Sequence, residues 1–342
     1  MSRFEFSCLP TAIGSMPHTD PEEACLMVAR FLPEIPAWPQ LPKRSFLESM
    51  YVQFSERFPG VVIEDERIYV DRSADLSQPL EQLYASYLEN DIEAYAMGPE
   101  YAAGLQAFLG LGLSPLAVKG QVTGPVSMGL TVADQDRRPI LYDETLADAL
   151  ARHLRLKAAW QEMRLKTISP NTIIFVDEPY MSSFGSAYIP ITREQVVALL
   201  DEVFSGISGL KGSHCCGNTD WSVMLSTSLD ILSFDAYNYG HTVALYPNEV
   251  KAFLDRGGVL AWGIVTRDDT PLRSETASSL VDRLEEHVGE LDRRGVPFRL
   301  QMQKSLITPS CGLEPTEPEM AERVLELLVE VSRELRKRYV RD

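Results

Sequence analysis

A histidine and two cysteines stand side by side at positions 214 to 216, in the run GSHCCGNTDW, and a further cysteine, Cys311, lies in TPSCGL near the end of the chain. Side chains on an extended segment alternate faces, so His214 and Cys216 point the same way and Cys215 the other. An imidazole and a thiolate two residues apart can grip one ion, and a nitrogen and sulfur donor set suits zinc. Cys311 is the candidate third ligand, and Asp235 in LSFDAY is a candidate carboxylate ligand. The same residues also fit a blander reading, small buried cysteines packed beside a hydrogen-bonded histidine. A redox pair is disfavoured, because adjacent Cys215 and Cys216 lack the two-residue spacer of C-x-x-C.

Other polar residues gather at expected strand ends. The Ile13, Gly14 and Ser15 turn offers unobstructed N–H donors to an anion, and Asp177 and Glu178 offer carboxylates to a cation. Each has a structural alternative: a plain strand-to-helix turn for 13–15, and a helix N-cap or rim salt bridge for Asp177 and Glu178 ahead of Pro179. QVTGP reads as architectural, with Gly124 allowing close backbone approach near a substrate.

Positioning these residues requires strands that end together. Short β-type runs alternate with helical ones along the chain, the pattern of a parallel sheet with crossover helices. Strands are expected at 9–13, 35–41, 116–123, 172–177, 210–215, 231–236, 259–265 and 298–306. Continuous apolar runs such as TIIFV and VLAWGIV suit strands buried on both faces. Period-3.6 stripes predict helices at 143–168, 193–207, 247–256, 275–293 and 317–339. About eight strand-helix units imply a closed (β/α)₈ TIM barrel, whose active site forms at the C-terminal ends of the strands. The excess length falls in the N-terminal third, about residues 44–114, where GVVIEDERIYVD reads as an inserted hairpin followed by extra helices. With no linker or repeat in view, residues 1–342 are expected to form one catalytic domain.

The 45% hydrophobic content supplies a continuous core. A formal charge of −17 makes nucleic acid and anionic membrane poor partners, since both demand a basic surface. The MSRFEFSC terminus lacks the apolar core of a signal peptide, and the stretch 101–118 is interrupted by Gln106, glycines and Pro115, so it reads as a buried helix running into a strand. Five cysteines without an export signal point to the cytoplasm, with thiols reduced and free to bind metal.

Five motifs in order, TAIGSMP, VKGQVTGPVSM, FVDEPY, His214-x-Cys216 and TPSCGL, resemble the catalytic C-terminal half of cobalamin-independent methionine synthase. That superfamily also holds uroporphyrinogen decarboxylase and corrinoid-linked thiol methyltransferases. The resemblance spans nearly the whole chain. It implies a (β/α)₈ barrel with a zinc ion that activates a thiol, homocysteine in the synthase, for methylation in methionine biosynthesis. Carried over, His214, Cys216 and Cys311 would be the zinc ligands, Ile13 to Ser15 would hold the homocysteine carboxylate, and Asp177, as the catalytic carboxylate, would hold its amino group. This chain departs from the pattern in three ways. Asp235 stands where the synthases have a glutamate, the loop after the seventh strand offers Asp268 or Asp269 instead of a histidine, and the N-terminal barrel that helps to bind folate is missing. HCCGNTDW is also closer to the corrinoid-linked methyltransferases.

The resemblance therefore implies a zinc-dependent thiol methyltransferase whose donor is a methylcorrinoid protein rather than folate. Three alternatives follow: a corrinoid-linked enzyme for another thiol such as coenzyme M, a decarboxylase-like lyase, and a non-catalytic zinc-binding protein. The lyase would need arginines for a polycarboxylate, and the rim motifs offer none. The face alternation yields a direct test by metal analysis of purified variants. Cys216→Ser and Cys311→Ser should each lose most of about one bound zinc, and Cys215→Ser should keep it; full retention in the first two would remove the site.

Overall fold

The computed structural model describes residues 5–186 and 189–340. Residues 1–4, the start of the terminus read above as lacking a signal peptide, lie outside the described residues.

Ten strands form in chain order: β1 Leu9–Pro10, β2 Val61–Glu64, β3 Arg67–Val70, β4 Val118–Thr123, β5 Ala133–Asp134, β6 Thr172–Asp177, β7 Leu210–Cys215, β8 Ile231–Phe234, β9 Val259–Val265 and β10 Ser305–Pro309. Seven make one curled parallel sheet in the order β1-β10-β9-β8-β7-β6-β4. The expected closed ring of eight strands is thus corrected to an open sheet of seven, TIM-like in its winding. The segment 35–41, expected as a strand, crosses the gap with isolated parallel bridges, Ala37 to Lys119 and Ser15 to Gln40. Pro36 and Pro39 are the physical reason. Neither has an N–H to donate, so no continuous ladder can form. What remains is a few single bonds, Lys119 N–H to Pro36 O at 2.9 Å, Trp38 N–H to Lys119 O at 3.2 Å and Gln40 N–H to Gly14 O at 3.1 Å.

The first and last strands also differ from expectation. β1 is cut short after Pro10, although Thr11 N–H still reaches Ile307 O at 3.0 Å. Residues 298–303 form a helix, Phe298–Gln303, and β10 begins only at Ser305. The alternation of FRLQMQ imitates a strand. In the helix Gln301 is buried and donates from Nε2 to Val288 O at 3.1 Å and Val296 O at 2.8 Å, while its Oε1 has no partner.

Helices fall close to the expected places, at Glu144–Leu165, Arg193–Ser205, Pro247–Asp255, Ala277–Arg293 and Pro318–Tyr339. The expected hairpin is present as β2 and β3, antiparallel, and β3 continues into parallel pairing with β5. Helices Ser77–Glu89 and Ala103–Leu109 follow it. Among the described residues no helix is long and apolar enough to cross a membrane.

Two apolar clusters show how the sheet sorts its side chains. Ile174, Val176, Leu232 and Ile264 pack outward with the helices, whereas Ile173, Phe175, Ile231 and Leu306 form a smaller inner cluster. Successive residues on a strand thus alternate between helix layer and interior. Moving two residues at a time along the inner set of β6, Ile173 and Phe175 give way to Asp177. On β8, Ile231 gives way to Ser233. The interior therefore changes from apolar to polar toward the C-terminal ends of the strands. The site residues lie there.

Candidate metal and substrate site

His214, Cys216 and Cys311 come together with their donor atoms all within 4.8 Å of one another. Register places His214 beside Asp177 on one neighbouring strand and Ser233 on the other. The Ser233 hydroxyl lies 2.9 Å from His214 Nδ1, fixing the ring, and leaves the buried Nε2 without a hydrogen-bond partner. An unpartnered ring nitrogen in a dry interior is costly unless something else takes its lone pair. Cys215 goes the other way, into the core against the helices, with its Sγ 3.5 Å from Gly217 O. Next to the pair, Gly217 lets the 179–183 turn approach, because a Cβ there would sit 2.4 Å from Ser182 Cβ.

The two thiols share their environment unequally. Cys216 is held below the usual thiol range, chiefly by the Cys311 thiol beside it and further by Arg267, while burial opposes this. Cys311 is pushed up to about 12 by Cys216 and by burial, with His214 pulling it back. One nitrogen and two sulfur atoms make a soft, zinc-type donor set, and a tetrahedral ion with bonds of ~2.0–2.3 Å needs such atoms a few ångströms apart. These three residues fit that requirement.

Asp235 stands outside this group. It caps the helix Ala236–Val243, with Oδ1 accepting from Asn238 N–H at 3.0 Å and Oδ2 from Asn238 Nδ2 at 2.7 Å. Both oxygens are committed. Asp177 is buried with Oδ1 lacking any hydrogen-bond partner. Burial raises its carboxyl, and Lys119 and His214 pull it down.

Glu178 is placed differently from its neighbour. Its Oε1 accepts from Val126 N–H at 2.9 Å, and its Oε2 from Ser127 N–H at 2.8 Å and Ser127 Oγ at 2.6 Å. The carboxylate therefore caps the N-terminus of the helix Pro125–Thr131 rather than lining an open site. Gly124 follows from this contact, since a Cβ there would lie 2.2 Å from the Glu178 carboxyl.

Ile13, Gly14 and Ser15 lie against the cysteine loop. Ser15 O accepts from Leu313 N–H at 2.9 Å, and a Cβ on Gly312 would meet Ser15 Oγ at 2.1 Å. Among the described residues, the N–H groups of Gly14 and Ser15 have no acceptor. Gly14 has φ +150°, and a Cβ on it would strike Gln121 at 2.5 Å.

Two basic residues join the site unforeseen. Lys119 is wholly buried on β4, with Nζ 2.5 Å from Ile13 O. Arg267, on the loop after β9 and outside the motifs read above, donates from Nη1 to Gly312 O at 2.5 Å. Its signal was the first basic residue after a long apolar strand.

No family model matches the chain, and no curated protein sequence does. Solved structures are similar in fold. A B12-independent methionine synthase from Shewanella sp. W3-18-1, in complex with selenomethionine, is 16% identical with a TM-score of 0.61, over 97% of this chain and 98% of that one. A methyltransferase from Methanosarcina mazei is 14% identical with a TM-score of 0.56, over 93% of this chain and 86% of that one. These likenesses establish the fold.

The Glu178 contact carries a pH signature. Burial pushes its carboxyl up to about 7 against the pull of Ser127 and the helix N–H groups. An unfolded carboxyl titrates at 4.5, so between these values the folded chain holds more protons and stability falls as pH rises. In urea unfolding at stepped pH, the advantage of wild type over Glu178→Gln should shrink by up to about 3 kcal/mol from below 4.5 to above 7. An advantage that grows with pH would show that the helix terminus outweighs burial.

Proposed function

We propose that the chain is a zinc-dependent methyltransferase acting on a small thiol, homocysteine before others, and that the whole chain works as one catalytic domain. The observation that carries this reading is the buried, unpartnered Nε2 of His214 beside the thiols of Cys216 and Cys311. Next to it stand the free N–H groups of Gly14 and Ser15 and the open Oδ1 of Asp177. The likeness in fold to a methionine synthase and to a methyltransferase supports the reaction class.

His214, Cys216 and Cys311 would hold the metal, and zinc, when bound, would supply a Lewis acid that accepts a thiol as its thiolate at neutral pH. A free thiol near pKa 8.5 is only a few per cent ionised there, so full ionisation gains roughly 30-fold, about 2 kcal/mol of barrier. Orientation supplies the larger share, on the order of 7 kcal/mol. The N–H groups of Gly14 and Ser15 orient the acceptor's carboxylate and Asp177 its ammonium, which aims sulfur at the methyl carbon. The S–C bond forms as the bond from donor to carbon breaks.

The resemblance of HCCG at 214–217 to corrinoid-linked enzymes supports a methylated corrinoid as donor. The B12-independence of the matched synthase favours a second reading with a pterin-type donor. Methyl transfer from methylcobalamin but not from methyltetrahydrofolate is the expected outcome for the isolated chain; efficient folate turnover would decide for the second reading.

Asp177 separates homocysteine from thiols without an amino group. Stranding a buried ion partner typically costs a few kcal/mol, so Asp177→Asn should weaken homocysteine binding roughly 10- to 100-fold and leave zinc content unchanged. For a sulfonate thiol such as coenzyme M the change should be neutral or favourable, since it deletes a negative charge near an anion. Competition binding with both thiols decides. Equal losses would make Asp177 a structural residue, and a wild-type preference for the sulfonate would move the reading to another thiol.

A further inference from the structure

Lys119 is a charged side chain in the interior of the fold. It is fully buried on β4, and burial pushes its ammonium down to about 8, with Asp177 as the charge that counteracts this. A packed interior has no need of a cation there, and an aliphatic residue of the same volume would avoid the desolvation cost. Its contacts show what it does. Nζ lies 2.5 Å from Ile13 O and 3.3 Å from Gln121 Oε1, and 4.2 Å above the Phe175 ring. Gln121 is itself anchored, donating from Nε2 to Trp38 O at 3.2 Å. The face of Gly14 packs on the same Gln121 side chain so tightly that no Cβ fits. Lys119 and Gln121 thus form a platform that fixes the 13–15 turn from the inner face of the sheet.

Fixing the Ile13 carbonyl fixes its peptide plane. In a trans peptide the next N–H points opposite to that carbonyl, so the Gly14 N–H faces away from Lys119. The adjacent Ser15 rests on Gly312, one residue past Cys311. The ammonium therefore holds the turn that carries the unpaired donors, on the strand next to the one that carries Asp177 and its unpaired oxygen.

We propose that Lys119 is the positioning residue for the amino-acid end of the acceptor: by pinning the Ile13 carbonyl, it presents the Gly14 and Ser15 N–H groups to a carboxylate, while its charge acts on Asp177 of the neighbouring strand, whose free oxygen takes the ammonium. The proposal rests on the thiol-acceptor reading above. It predicts selectivity for an α-amino acid thiol over a thiol lacking both charged groups, held by a residue that touches no substrate atom.

The test compares homocysteine with 2-mercaptoethanol on the zinc-loaded full chain, measuring Kd by competition together with zinc content and thermal midpoint. Lys119→Met should raise the homocysteine Kd roughly tenfold or more. It should leave the mercaptoethanol Kd within about twofold and the zinc content unchanged. Lys119→Gln, which keeps one donor without the charge, should fall between, and it carries the test if the methionine variant does not fold. In a cycle with Asp177→Asn, the two losses should be non-additive, because both variants dismantle one arrangement. Equal effects on both thiols, or none, overturn the role of Lys119 while leaving the acceptor reading intact. A wild type that binds both thiols equally overturns that reading, and the role of Lys119 with it.

Discussion

The imidazole of His214 is the constraint around which the rim is organised. Its Nδ1 is taken by Ser233 at 2.9 Å and its buried Nε2 has no partner. Burying a polar atom unpaired is unfavourable by an amount comparable to a lost hydrogen bond, and a fold tolerates it where a ligand completes the set. Everything nearby respects that open valence. Cys215 turns away to the helix layer, Asp235 is bound by Asn238, and Glu178 is bound by the Pro125–Thr131 helix, which leaves the two thiols of Cys216 and Cys311 facing the nitrogen.

The sheet makes this arrangement possible through register. Asp177, His214 and Ser233 are consecutive partners across β6, β7 and β8, so one inward-facing layer holds a carboxylate, a ring and the hydroxyl that orients the ring. Cys311 arrives from the far side of the curl, just past β10, which pairs with β1. The same curl brings Ser15 against Gly312. A thiol donor and a pair of free N–H groups therefore meet although nearly the whole chain separates them in sequence.

Much of this was legible before any coordinates. Two-residue periodicity alone put His214 and Cys216 on one face and Cys215 on the other, because that rule depends only on extended backbone. Continuous apolar runs located β6 and β9 correctly for the same reason. Failures came where local pattern competes with hydrogen-bond accounting. The 35–41 run is apolar enough for a strand, yet its two prolines forbid a ladder. FRLQMQ alternates like a strand, yet it forms a helix whose buried Gln301 donates from Nε2 to Val288 O and Val296 O. Lys119 was unreadable because a lysine in a strand ordinarily implies solvent, and nothing local shows that Ile13 O waits 2.5 Å from its ammonium. Asp177 and Glu178 look equivalent in sequence; only the contact with Ser127 separates the committed carboxylate from the open one.

X-ray absorption at the zinc edge of the purified, zinc-loaded chain, before and after homocysteine is added, tests the central claim most directly. The account predicts two sulfur ligands and one imidazole nitrogen from the protein, with one lighter ligand replaced by a third sulfur when homocysteine binds. A first shell without sulfur, or one already closed by four protein ligands and unchanged by the thiol, would contradict it.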